Sequence, residues 1–146
     1  MNKGLLTTGC GANSVDNLTK RQRSYNMAKV RSRGNASTEL KTLMVLKRGG
    51  LTGWRRHFPV FGRPDFAFPK SRIALFIDGC FWHGCPRCYQ APKTSSGFWR
   101  KKLSKNKKRD REVSRLLRKA GWTVIRVREC QLKSPLRLLR RIKVAI

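Results

Sequence analysis

The chain has 146 residues, 39% of them hydrophobic, and carries 35 Lys plus Arg against 7 Asp plus Glu, a formal charge of +28. One domain of this size can bury roughly 68–70% of its unfolded surface, and no apolar run approaches the ~20 residues of a membrane-spanning helix. That hydrophobic share and the lack of such a run exclude a membrane protein, while so lopsided a charge repels itself unless a polyanion neutralises it and so points to nucleic acid as the partner.

Residues 1–16 are rich in Gly, Asn and Thr, lack the long apolar stretch of a secretion signal, and read as a disordered leader of a cytoplasmic protein. A single domain is expected over 17–146, with 17–35 as an N-terminal arm containing a basic helix at 18–30. Ser37-Thr38-Glu39-Leu40 opens a helix over about 36–48: Leu40, Leu43, Met44 and Lys47 fall at helical spacing, and Gly49-Gly50 stops it. Strands follow at 54–58 and 65–68, separated by a turn at Phe61-Gly62-Arg63-Pro64. Residues 72–77 are almost continuously apolar, as in a strand buried on both faces. Residues 79–97, with their Gly, Pro and Cys, predict an irregular loop. A long basic helix is expected at 98–120, ended by Gly121, then a strand at 122–127 and a short basic amphipathic helix at 135–144. This order predicts an α/β fold, a mixed sheet flanked by helices.

Of the five cysteines, Cys80, Cys85 and Cys88 share one loop, Cys130 follows the last strand, and Cys10 lies in the leader. An odd count with three cysteines close together argues for a metal site over a secreted disulfide framework. Thiolates suit Zn²⁺, which takes four sulfur ligands tetrahedrally. Such a site is closed to substrate and therefore structural, with Cys130 pinning the loop to the sheet. His83, inside the loop, is the rival ligand; with four cysteines available it is free for other work.

A phosphodiesterase must draw its hard-cation ligands from the few acids. Asp65 follows Pro64 at a strand start, and Asp78 ends the apolar strand. Two strands delivering P-D-(x12)-D to one edge of a sheet resemble the core of the PD-(D/E)XK nucleases, a spacing that suits Mg²⁺ bridging the scissile phosphate and activating a water. Glu39 stands ready to hold a metal-bound water from behind. His57, between Arg56 and Phe58, reads as a strand-end residue without function, and Trp54 and Trp122 as core.

From Asp78 to Pro86 the chain reads Asp-Gly-Cys-Phe-Trp-His-Gly-Cys-Pro, and this stretch resembles the signature of the very short patch repair (Vsr) mismatch endonucleases. Asn26-Met27, the Glu39 helix, Gly62-Arg63-Pro64-Asp65-Phe66, Phe98-Trp99, Asn106 with Arg109-Asp110, Gly121-Trp122 and Glu129-Cys130 fall in the same order, so the resemblance spans about 18–132. It implies a restriction-endonuclease-like fold with structural Zn²⁺ and catalytic Mg²⁺. The enzyme would be a monomer that nicks double-stranded DNA on the 5′ side of the T of a T:G mismatch left by deamination of 5-methylcytosine, with other mismatch-repair proteins as further partners.

By resemblance, Asp65 is the central metal-binding aspartate, Ile77 offers a backbone carbonyl to Mg²⁺, and His83 lies beside the scissile phosphate. Cys80, Cys85, Cys88 and Cys130 take the zinc positions. Phe81, Trp82 and Trp99 match aromatics that wedge into DNA beside the mismatch, and Met27 matches a residue of the arm inserted from the minor-groove side. Arg63 and Asn106, in matching segments, join the DNA contacts. Asp78 departs from the pattern, replacing a histidine thought to assist catalysis; either it becomes an extra Mg²⁺ ligand or the chemistry shifts to His83. The usual lysine of the nuclease motif is also absent, a loss the family shares. The rival readings are a non-catalytic zinc protein binding DNA or RNA, a nuclease of the same core with another DNA target, and a ribosomal type of RNA-binding protein.

Overall fold

A computed structural model of the chain describes residues 19–29, 35–93 and 95–146. It divides at Arg31, and the two parts are taken separately. The expected leader at 1–16, with Cys10, lies outside the described residues.

In the N-terminal part, helix α1 (Lys20–Ala28) is held at its start by a reciprocal cap. The Thr19 N–H donates to Gln22 Oε1 at 2.8 Å, and the Gln22 N–H donates to Thr19 Oγ1 at 3.3 Å. Two of the donors that every helix start leaves unpaired are satisfied in this way. The side chain of Met27 lies outside the described residues.

The larger part is built on a four-stranded sheet in the order β1 (Arg55–Arg56), β2 (Phe66–Phe68), β3 (Ile73–Asp78), β4 (Thr123–Arg128). Strands β1, β2 and β3 pair antiparallel, and β3 pairs with β4 in parallel. A parallel neighbour needs a long crossover. The loop after β3 and the 24-residue helix α3 (Ser96–Lys119) supply it. Helix α2 (Lys41–Arg48) continues from a wide π turn at Ala36–Leu40 that carries Glu39. After β4 a tight turn at Glu129–Lys133 leads into α4 (Pro135–Ala145). The expected mixed sheet flanked by helices is what forms; the first strand is shorter than its sequence suggests.

Side chains alternate across a strand, and that alternation creates two cores. Ile73, Leu75 and Ile77 of β3, with Phe66, Phe68, Ile125 and Val127, meet Leu46 of α2 and Leu138 and Ile142 of α4. Ala74 and Phe76 face the opposite way, onto Val113 and Leu117 of α3. Full burial of each large aliphatic side chain contributes ~1.5–3 kcal/mol, so the β3 run, apolar on both faces, anchors both layers. Asp78 is next on the α3 face, and this periodicity aims its carboxylate at the helix.

Gly62 sets the turn that delivers Asp65. Its φ is +79°, and a Cβ there would lie 2.3 Å from Val113 Cγ1. Only glycine both tolerates that backbone and admits α3 so closely.

Candidate active site and metal centre

Asp65 enters the sheet at the start of β2. Its Oδ2 accepts the Ile77 N–H at 2.7 Å, so the carboxylate caps β3 at the point where β2 has run out. A strand residue presents its N–H and C=O to the same neighbour, so the Ile77 carbonyl looks toward the Asp65 side as well. Among the described residues no hydrogen bond reaches Asp65 Oδ1. Burial raises the pKa of Asp65; the Ile77 N–H opposes this, and the charges of Glu39 and Asp78 add to the rise. A carboxylate crowded by two others in a half-buried corner favours a cation. The oxygen donors suit a hard divalent ion such as Mg²⁺.

Glu39 is buried behind this corner and holds a salt bridge to Arg56, whose Nε donates at 2.9 Å. His57 Nε2 lies 2.9 Å from the same Glu39 oxygen, and the His57 N–H donates to the Asp65 carbonyl at 3.3 Å. His57 adopts φ +48° and Arg63 φ +47°, a left-handed backbone that costs a side-chain-bearing residue energy and clusters at working sites. His57, at the end of β1, thus touches the acidic corner through Glu39 and Asp65. Arg63 is exposed on the turn before Asp65.

The second group sits on the α3 side. His83 Nδ1 lies 2.6 Å from Asp110 Oδ2 and 3.7 Å from Asp78 Oδ1. An ionised carboxylate only accepts hydrogen bonds, so Nδ1 is the donor in this contact and Nε2 is the nitrogen turned away from it. Asp78, expected as an Mg²⁺ ligand, has both oxygens on Arg126: Nε donates to Oδ2 at 3.0 Å and Nη2 to Oδ1 at 2.8 Å. The group opens into a cleft of about 800 Å³ that Lys107, Arg111 and Arg128 line with positive charge. Asp110 and Arg126 were not singled out as site residues from sequence. One available signal was that Asp110 is one of two acids in a helix otherwise dense in Lys and Arg.

The four cysteines do converge. One sulfur from each of Cys80, Cys85, Cys88 and Cys130 lies within 4.8 Å of the others, and the Cys85 and Cys130 sulfurs are 3.8 Å apart. A tetrahedron with Zn–S near ~2.3 Å has an edge of ~3.8 Å, so the set fits zinc. Burial pushes the Cys80 thiol up to about 12. At Cys85 burial is outweighed by the Arg87 and Cys88 N–H groups and the neighbouring sulfurs, which bring its thiol down to about 7. Packed thiols of this kind cannot all ionise without a cation among them.

The zinc loop also carries aromatics. Phe81 touches Trp82 and Trp99 edge-on, with centroids 5.2 and 5.0 Å away, and Tyr89 lies at 5.8 Å. Phe81, Trp82 and Trp99 stay half-buried outside both cores. The Asn106 amide donates to the Trp82 carbonyl at 2.8 Å, bracing the loop against α3. Trp54 and Trp122 pack on Phe66 and Phe58, as expected of core residues.

Residues 15–90 match the family model described as DNA mismatch endonuclease Vsr. The chain is 37% identical to the DNA mismatch endonuclease Vsr of Escherichia coli K12 over 116 residues, 78% of this chain and 73% of that protein. It is 36% identical over 120 residues to the type II nicking enzyme V.XorIIP of Xanthomonas oryzae pv. oryzae, covering 81% and 87%. The type II nicking enzyme V.NaeI of Lentzea aerocolonigenes is 48% identical over 67 residues, where the match spans 46% of this chain and only 40% of that relative. By sequence and by these alignments, the chain belongs to the Vsr family of DNA mismatch endonucleases.

Proposed function

We propose that the protein nicks one strand of duplex DNA on the 5′ side of the T in a T:G mismatch, in an Mg²⁺-dependent reaction on a PD-(D/E)XK-type core. The observation that carries this reading is the His83–Asp110 pair at 2.6 Å beside the end of β3, the strand whose Ile77 N–H holds Asp65. Asp65 and the Ile77 carbonyl would hold the magnesium, with Glu39 steadying the corner from behind. When bound, Mg²⁺ neutralises the scissile phosphate and acidifies a water. Asp110 keeps the His83 proton on Nδ1, so Nε2 takes a proton from the attacking water or passes one to the leaving oxygen. The zinc held by Cys80, Cys85, Cys88 and Cys130 gives this loop its shape.

Phe81, Trp82 and Trp99 form the wedge. A T:G wobble stacks less well than a Watson–Crick pair, so inserting rings there costs less than the few kcal/mol of an ordinary unstacking step. Arg63 and Met27 extend the DNA contact, and Asn106 serves it by fixing the backbone at Trp82. Phosphate attraction to α3 supplies affinity but no sequence choice.

The direct test incubates the protein with duplexes carrying T:G, T:A or C:G at one position, with Mg²⁺ or with EDTA. Nicking confined to T:G plus Mg²⁺ is expected; equal nicking of all three would discard the mismatch reading. His83→Ala should slow single-turnover nicking by ~10²–10⁴-fold with binding retained. A loss under tenfold would reduce His83 to a packing residue.

A further inference from the structure

The triad of Asp78, His83 and Asp110 brings three ligand atoms within 4.8 Å of one another, the spacing of a metal site. Two carboxylates that close, with Asp78 only 5% exposed, repel one another unless a cation lies between them. Arg126 lies there. Its Nη2 donates to Asp78 Oδ1 and to Asp110 Oδ1, each at 2.8 Å, and its Nε donates to Asp78 Oδ2 at 3.0 Å. Its Nη1 reaches the Asp110 carbonyl at 3.3 Å and Ser114 Oγ at 3.5 Å. The guanidinium carbon stands 4.7 Å from the Phe76 ring centroid, and Phe76 is its direct partner across the parallel β3–β4 pair.

We propose that Arg126 is a resident cation in place of a metal at this triad: it keeps Asp78 out of the magnesium ligands and sets the Asp110 carboxylate under His83. Asp110 divides its oxygens, Oδ1 to Arg126 and Oδ2 to His83. Arg126 thereby fixes the rotation of that carboxylate, and with it the direction of His83 Nε2. It is a positioning residue, acting through Asp110. A lysine could not replace it, because a single ammonium lacks the planar fork that serves two carboxylates at once. The positioning role rests on the nicking reading above; the cation role does not.

Two experiments separate them. In the first, Mn²⁺ is titrated into zinc-loaded wild type and Arg126→Ala, with bound ions counted by electron paramagnetic resonance. The variant is expected to bind one more Mn²⁺ per chain; an unchanged count overturns the cation role whether or not the protein nicks DNA. In the second, nicking of the T:G duplex is followed. Arg126→Ala should lose about 10–100-fold in kcat with KM little changed. Millimolar guanidinium should restore part of the rate while leaving wild type unaffected. Wild-type kcat in the variant, or a loss that guanidinium does not lift, overturns the positioning role. Should Arg126→Ala fold poorly, Asp78→Asn with Arg126→Ala removes the stranded charge and gives the same kinetic readout. Asp78→Asn alone should leave the Mg²⁺ concentration for half-maximal rate where it was. A tenfold rise would return Asp78 to the metal ligands.

Discussion

Asp65→Asn is expected to abolish Mg²⁺-dependent nicking while raising the melting temperature of the metal-free protein. Losing the carboxylate that holds a catalytic divalent ion removes several kcal/mol of transition-state stabilisation, a fall of ~10³-fold or more. The stability effect has the opposite sign. Burial, then the nearby Glu39 and Asp78 charges, raise the Asp65 pKa, and the Ile77 N–H and His57 only partly offset them. A group whose pKa is higher folded than unfolded supports the fold below its unfolded pKa, and that support disappears as pH rises through the folded value. At neutral pH the ionised Asp65 therefore costs stability. Asparagine drops the charge and still accepts the Ile77 N–H through its amide oxygen. The same shift predicts that wild type needs more Mg²⁺ as pH falls toward the raised pKa, because proton and metal compete for one carboxylate. Nicking assays and thermal melts at neutral pH check both halves. Wild-type nicking in the variant would remove Asp65 from the chemistry, and a lower melting temperature would show that its charge is compensated in the fold.

The second large effect is expected from zinc. Purified protein should carry one zinc per chain, and Cys85→Ser should lose it. Structural sulfur sites contribute on the order of 10 kcal/mol in small zinc peptides, comparable to the whole stability of a small domain. Cys85 is almost fully buried and its sulfur is 3.8 Å from that of Cys130, so serine at this position cannot be accommodated by a small shift. Because His83, Phe81 and Trp82 sit between the ligands, nicking should fail together with the melt. Atomic absorption and circular dichroism would follow the two losses; a folded, zinc-free, nicking-competent protein would exclude the site.

What the sequence reveals about this fold is what repeats locally. The α2 and α3 helices declare themselves by apolar spacing and glycine stops, β3 by its unbroken apolar run, and the cysteine site by its intervals. Asp65 is legible from Gly62-Arg63-Pro64, since the glycine and proline mark the turn that aims it. Three features of the site leave no such trace. Arg126 and Asp78 are 48 positions apart, and His83 and Asp110 are 27 apart; only the crossover and the pleat of two parallel strands join them. Arg126 in particular looks like one more cation among 35. His57 hides for a different reason: its reach to Glu39 depends on a left-handed backbone that histidine's side chain does not announce.

The parallel crossover and the sulfur cluster together make a covalently traced ring. Cys85 and Cys130 are 45 positions apart, and the long helix lies wholly between them. Gathering ends so distant is an entropic burden that grows only slowly with length, and a single ion would meet it at one stroke. A protease cut in the exposed stretch just before the helix leaves fragments that still share the β3–β4 pairing, so a chelator should lower their joint melting temperature. In this protein the metal would act as a clasp on the chain itself.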